Sequence, residues 1–434
     1  MNDKKKAKFK LGASHNPKAK SAKKKSNTSE PFQPAQKFTP VPGENTLRIH
    51  NKFEAEVVDI ADDGRAVLRH VNGQVFFCAG VWHGERGRFQ ITEVKGRHGV
   101  VKLLELQHRS EHRIDPPCEH HGFSKQHCGG CAWQFIHYDE QLREKQRRLD
   151  AAFARIDAQN CVKDIVGSSQ SVGYRNRVQF KTDGKSIGFV AAGSNSLVPV
   201  EYCPILTATN QQSFEQLKSQ LPNSSWKPKQ GRNGKAQLTT LNLDDSISAE
   251  EVAVNHRLPF QQANAEQNQS MKHWLREKLA ELPNNYGVLE LFCGSGNFTE
   301  ICAERGFSRI VALEGSAHAI ETLNSRGLAG VEGYACNLYD DNVFTKMHEN
   351  IATPEILILD PPRDGLKVKE GLITKKRQFT DILYVSCNLA TLLRDIEDFY
   401  AQDYKVVDVV GLDQFPQTPH IEVLVHLQSK KKKG

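Results

Sequence analysis

From about residue 276 to the end of the chain, short apolar runs alternate with helical patterns. The runs are Gly287 to Phe292, Arg309 to Glu314, Ile356 to Asp360, Ile382 to Ser386 and Tyr404 to Val410. A strand that is followed by a helix and then another strand rejoins its sheet as a parallel partner, so this rhythm predicts a doubly wound, largely parallel α/β sheet. Such sheets take their ligands at the carboxyl ends of the strands. The first run leads straight into Phe292-Cys-Gly-Ser-Gly-Asn-Phe298, a glycine turn opening a helix. Glycine there lets backbone approach a ligand where side chains would block it.

The run after the glycine turn ends in Glu314, a carboxylate suited to a pair of ribose hydroxyls. A dinucleotide site would want a third glycine where Thr299 stands, to pack a helix closely under a pyrophosphate. An adenosyl group without phosphate needs only a tight turn and acidic or amide anchors. The bland alternative is a glycine turn in an empty sheet. About ninety residues on, Tyr384-Val-Ser-Cys-Asn388 places Cys387 at a strand end and just before a helix. A helix N-terminus favours the thiolate, and so points to a nucleophile. Asp360-Pro-Pro-Arg-Asp-Gly365 should lie along the same edge, and Glu422 stands where the final strand, Pro419 to Val425, begins. A thiol and a carboxylate beside an adenosyl-methionine site suit pyrimidine C5 methylation. Cys387 would add to C6, C5 would take the methyl group, and Glu422 would remove the C5 proton; Asp360 would position the base or its sugar. Taken alone, Glu422 would read as a solvated strand residue.

At 434 residues the chain is too long for a single core. Residues 1–42 carry ten lysines by position 25 against one acid, Asp3, and read as a disordered basic tail. With Lys430 to Lys433 they suggest phosphate attraction, against the plainer reading of solubilising tails. Residues 43–108 read as short strands with Asp63-Gly64 and Asn72-Gly73 turns, a small OB-like barrel. Residues 109–275 form a central α+β domain whose helix, Tyr138 to Asp157, could pack on the catalytic domain, residues 276–434. Without a membrane-length apolar run or a secretion signal, a cytoplasmic protein is expected. Its ten cysteines should then not form a disulfide framework.

Four of them cluster instead. Cys118, Cys128 and Cys131, with Cys203-Pro204 as a distant fourth, suggest a [4Fe–4S] ligand set. A zinc site recruiting His120, His121 or His127 is the alternative, and Cys161 a rival fourth ligand. Cys78, Cys293, Cys302 and Cys336 read as structural.

Phe292-Cys-Gly-Ser-Gly-Asn-Phe-Thr299, Asp360-Pro-Pro-Arg-x-Gly365, Val385-Ser-Cys-Asn388 and His420-Ile-Glu-Val423 together resemble the RNA uracil-C5 methyltransferases that use S-adenosyl-methionine. The resemblance spans residues 46 to 427, and the front barrel looks like a TRAM domain, an RNA-binding module. A TRAM domain with an iron–sulfur ligand set is similar to the bacterial 23S ribosomal RNA branch rather than the transfer RNA branch. The resemblance implies a Rossmann-like methyltransferase domain with Cys387 as nucleophile and Glu422 as general base. It implies Gln262, Phe292, Asn297, Glu314, Asn337 and Asp360 around the cofactor, and Cys118, Cys128, Cys131 and Cys203 as cluster ligands. The implied partner is 23S ribosomal RNA, bound by a monomer. Two positions depart from the family: nine residues separate Cys118 from Cys128, and Leu389 replaces a proline. A non-catalytic RNA-binding factor and a radical enzyme are the competing classes. The catalytic pair argues against the first, and the missing Cys-x-x-x-Cys-x-x-Cys against the second.

Overall fold

A computed structural model describes residues 47–230, 236–256, 258–346, 354–374 and 377–431. The basic N-terminal segment and the last lysines of the C-terminal run lie outside the described residues. Five strands open the described chain: β1 (Lys52–Ile60), β2 (Ala66–Arg69), β3 (Val75–Cys78), β4 (Arg86–Lys95) and β5 (His98–His108). They close into a barrel in the order β1-β2-β3-β5-β4, with β3 and β5 parallel. In β4 alternate residues Gly87, Phe89 and Ile91 are buried, so the period-2 pattern fills the interior with Phe76, Phe89, Leu68 and Ile91.

Helix α1 (Tyr138–Ala154) follows, then β6 (Arg177–Thr182), β7 (Ile187–Val190), β8 (Leu197–Pro199) and α2 (Ala208–Ser219). The short pair β9 (Lys229–Gln230) and β10 (Ala236–Gln237) precedes β11 (Thr239–Asp244), which joins the sheet β11-β6-β7-β8. Between Ala236 and Leu241, Leu238 separates two elements that pair in different sheets.

The remaining elements are α3 (Ala265–Ala280), β12 (Gly287–Leu291), α4 (Thr299–Arg305), β13 (Arg309–Glu314), α5 (Ala317–Ser325), β14 (Val331–Ala335), α6 (Val343–Lys346), β15 (Ile356–Leu359), β16 (Asp381–Ser386), α7 (Leu389–Tyr400), β17 (Tyr404–Leu412) and β18 (Glu422–Ser429). Seven strands form one sheet, β14-β13-β12-β15-β16-β18-β17. The first five are parallel, and β18 and β17 close the edge antiparallel. Every residue of β15 and β16 is buried, the consequence of covering both faces of a parallel sheet. One apolar cluster, including Leu289, Leu357, Tyr384 and Phe399, lies on one face; a second, including Trp274, Val288, Ile301 and Leu383, lies on the other. Glycine turn, Asp360 and Cys387 all follow strand ends on the same carboxyl edge. No described helix is long and apolar enough to cross a membrane.

Candidate active site

The turn after β12 is strained for a reason. Phe292 itself takes φ +63°, with Gly294 at +55° and Gly296 at +90°. A Cβ on Gly296 would meet Leu323 Cδ1 at 2.5 Å, so this position requires glycine twice over, for conformation and for space. Arg326 Nη1 donates to the carbonyls of Ser295 and Gly296 at 2.9 and 3.0 Å, and Glu314 Oε2 accepts from Gly294 N at 3.3 Å. Glu314 thus anchors the turn from the next strand end. Asn297 and Asn268 exchange amide hydrogen bonds of 2.9 and 3.1 Å, tying the turn to α3.

Beside the turn lies a cleft of ≈ 310 Å³ lined by Gln262, Phe292, Asn297 and Asp360, together with Phe260 and Asn176. Its size suits a small cofactor. Gln262 is nearly buried and held by Gln414 Nε2, 3.1 Å from its Oε1. Of the six positions expected around a cofactor, these four line the cleft, whereas Glu314 and Asn337 do not. Asn337 is exposed beyond the edge strand β14, its Oδ1 accepting from Tyr339 N at 3.1 Å. Burial, then the neighbouring Glu314 carboxylate, pushes Asp360 up to about 7.

A second cavity, ≈ 230 Å³, is lined by Cys387, Arg363, Pro419 and His420 of the catalytic domain, and also by Asp62, Asp63 and Arg148. Its walls are set by loops that hydrogen bonds lock together. Asn388 Nδ2 and Thr391 Oγ1 both donate to Arg363 O at 3.1 Å. Gly365 (φ +68°) has no room for a side chain, because a Cβ would sit 2.5 Å from Asp395 Oδ2. Buried Asp395 accepts from Leu366 N and Tyr384 Oη at 2.8 and 2.7 Å.

Because β16 and β18 pair antiparallel with Ser386 opposite Val423, Cys387 and Glu422 emerge side by side at the sheet edge. Burial pushes the Cys387 thiol up to about 11, and the Glu422 and Asp360 carboxyls add to the rise while Arg363 opposes it. Glu422 is buried and held far above the usual carboxylate range by burial, then by Asp360, again opposed by Arg363. The thiol therefore does not rest as a thiolate. The first amides of α7 are taken by the Asn388 side chain, which accepts from Ala390 N and Thr391 N, so the helix end acts on its cap rather than on the sulfur. Burial then outweighs it.

The four clustered cysteines are drawn around one small cavity, lined by Cys118, Cys128, Cys131 and Cys203 with His121 and Pro204. A Cβ on Gly129 would collide with Ala192 N at 2.5 Å, which explains one glycine of the Cys-Gly-Gly-Cys turn. Burial raises all four thiols; Cys203 reaches about 11, and Cys131 is raised further by Cys203 and Cys128. Buried thiols that crowd one another become stable thiolates only opposite positive charge, so the donor set fits a metal group. His121 Nε2 is buried without a partner, and burial holds His121 down to about 4. Cys161 lies elsewhere, its Sγ 3.5 Å from Val406 O. Among the described residues no three His, Cys, Asp or Glu side chains gather closely enough to hold a single ion.

With this geometry in place, a family model described as tRNA (uracil-5-)-methyltransferase matches residues 186–326 and 345–430. The chain belongs to that family. Among its relatives is an uncharacterized RNA methyltransferase of Nitrosomonas europaea, 38% identical over 86% of this chain and 95% of the relative. The 23S rRNA (uracil(1939)-C(5))-methyltransferase RlmD of Pseudomonas savastanoi is 28% identical over 91% and 98%. A solved structure, the tRNA (uracil-54, C5)-methyltransferase of Pyrococcus abyssi in complex with S-adenosyl-L-homocysteine, aligns with a TM-score of 0.63. At 21% identity over 86% of this chain and 100% of that one, it shows a shared fold. Sequence reasoning missed Asp62, Asp63 and Arg148 in the thiol cavity of this family member, because no local pattern tells a barrel turn or a helical arginine that a distant loop will meet it.

Proposed function

We propose that the chain methylates carbon 5 of a uridine in 23S ribosomal RNA, with S-adenosyl-methionine as donor. The observation that carries this reading is that two cavities are lined from neighbouring strand ends. Asp360, after β15, lines the cleft beside the glycine turn, and Cys387, after the adjacent β16, lines the other. Gln262, Phe292, Asn297 and Asp360 would hold the cofactor, with Glu314 fixing the turn. Asn337, at the end of the strand beside Glu314, would approach the adenosyl end. Bound there, the cofactor supplies an electrophilic methyl group on a sulfonium.

This chain's residues would act on the uracil ring. Cys387 gives its proton to solvent and its sulfur adds to C6, making C5 nucleophilic. After C5 gains its methyl group, Glu422, in its ionised form, takes the C5 proton. The C6–S bond then breaks, its electron pair returns to sulfur, and the C5–C6 double bond re-forms. A uracil must leave its base stack to reach Cys387. The OB-like barrel supports RNA as partner, and the named relative that acts on 23S rRNA supports the substrate.

Cys118, Cys128, Cys131 and Cys203 would hold a [4Fe–4S] cluster that cross-links two segments of the central domain; methyl transfer consumes no electron. Anaerobic purification should give a protein absorbing near 400 nm. A colourless protein carrying one zinc per chain would replace the cluster with a structural ion. For the reaction, Cys387→Ala should abolish methyl transfer yet retain S-adenosyl-homocysteine. Mass-spectrometric mapping should find one 5-methyluridine missing from 23S rRNA of a strain lacking the gene. Activity retained in Cys387→Ala, or a loss confined to transfer RNA, would overturn the corresponding part.

A further inference from the structure

The segment between β17 and β18, residues 413–421, leads to Glu422 at the strand end beside Cys387, and one face of α1 grips it. Gln141, Lys145 and Arg148 are spaced i, i+4, i+7 and so share a helix face. Gln141 Oε1 accepts from Gln417 N at 3.0 Å, and its Nε2 donates to Gln417 Oε1 at 2.9 Å. Fully buried Lys145 donates to fully buried Asp413 at 2.6 Å. Arg148 Nη1 donates to Pro419 O at 2.8 Å, three residues before Glu422.

Arg148 does something its two neighbours do not. Its Nη2 donates to Asp62 O at 3.0 Å, reaching the β1–β2 turn of the barrel. That turn already presses on the same proline: Gly64 (φ +83°) lies so close that a Cβ would sit 2.7 Å from Pro419 Cβ. Trp133 closes the junction, with its N donating to Gln417 O at 2.9 Å and its Nε1 to Gly64 O at 3.0 Å. The arginine side chain is 8% exposed, its Nε is buried without a partner, and it lines the cavity that holds Cys387. Burying a guanidinium with one unmet donor is costly, and the two carbonyl contacts offset that cost only while both loops stay in place.

We infer that Arg148 is a positioning residue: it clamps the barrel turn Asp62–Gly64 to the Pro419–Glu422 segment, so that the barrel sets where the general base stands. The inference rests on Glu422 as the base. If the clamp acts through Glu422, losing it slows the step Glu422 performs, removal of the C5 proton and release of sulfur. Earlier addition of Cys387 to C6 is spared, because Cys387 stands on a different loop, held by Arg363 O.

The test compares Arg148→Met, Arg148→Lys and Glu422→Gln with the full-length protein on a uridine-containing RNA, using denaturing gels and steady-state kinetics. In Arg148→Met a covalent protein–RNA species should accumulate and kcat should fall ~10²-fold, the cost of about 1 Å of misplacement. The KM for S-adenosyl-methionine should not change. Lys, which can reach one carbonyl, should restore part of kcat and lower the adduct. Should Met prevent folding, the Lys variant carries the test with the same two readouts. Slow turnover without adduct, while Glu422→Gln does trap one, overturns the clamp and leaves the base intact. If neither variant traps an adduct, Glu422 is not the base and the inference falls with it.

Discussion

Replacing Glu422 with Gln should make the Cys387 thiol more acidic, and the effect can be followed without RNA. Burial is the largest cause of the thiol's rise to about 11, and the Glu422 carboxyl is the next. Gln keeps the shape of the side chain and cannot acquire the charge that Glu422 takes on as pH rises through its raised pKa. A thiol of pKa about 11 is only ~10⁻⁴ ionised at pH 7, and each unit of fall multiplies that fraction by about ten. A more acidic thiolate is also a weaker nucleophile, with a Brønsted slope of ~0.4–0.5, so the net gain is about three- to fourfold in alkylation rate per unit. The assay is iodoacetamide labelling at several pH values, read on the Cys387 peptide by mass spectrometry. The rate in Glu422→Gln should climb about tenfold per pH unit from 7 to 9, and the wild type should fall progressively behind it toward pH 9 as Glu422 ionises. A Gln variant that plateaus below pH 9, or that reacts no faster than wild type at pH 9, would refute the electrostatic reasoning.

Glu290, buried in β12 with Thr299 Oγ1 donating to it at 2.6 Å, is pushed up to about 8, chiefly by burial. A carboxyl raised on folding stabilises the fold fully below its unfolded value near 4.5, and that contribution is lost as pH rises through about 8. Glu290→Gln should therefore gain melting temperature over wild type as pH rises from 5 to 9; a constant difference would contradict this. Gly296→Ala forces a side chain into φ +90° and against Leu323, and should weaken S-adenosyl-homocysteine binding by about 5- to 150-fold in calorimetry, as ~1–3 kcal/mol of backbone strain implies. Unchanged affinity would show that the turn does not form the cofactor cradle. Lys145→Met leaves Asp413 buried and unpaired, and should cost about 3–5 kcal/mol in denaturant unfolding, most of it recovered by adding Asp413→Asn. An additive double mutant would refute the pairing.

The parallel strands were legible because burial on both faces leaves unbroken apolar runs: Arg309–Glu314 appears as read, and Ile356–Leu359 within one residue. The glycine turn was legible because positive φ demands glycine at two of its positions. β14 was not, since an edge strand that is mostly exposed carries little hydrophobic signal. Nor was β4, where Gly87 takes an inward position and a register shift between Ile91 and Glu93 breaks the alternation. Within the site, Cys387 was placed correctly at its strand end but expected to be acidic. Nearness to a helix start is visible in a sequence, whereas which side chain takes the first amides is settled by packing, and Asn388 takes them. Arg148 was invisible for a related reason: its partner Pro419 lies 271 residues along the chain.

The central claim is a transient bond between Cys387 sulfur and C6 of a uracil. Its most direct measurement uses RNA carrying 5-fluorouridine, whose C5 fluorine cannot be removed as a proton, with S-adenosyl-methionine present. Mass spectrometry of the digested complex should find one methylated fluorouridine nucleotide on the peptide containing Cys387. A methylated RNA with no protein attached, or a nucleotide carried on any other residue, would contradict the account.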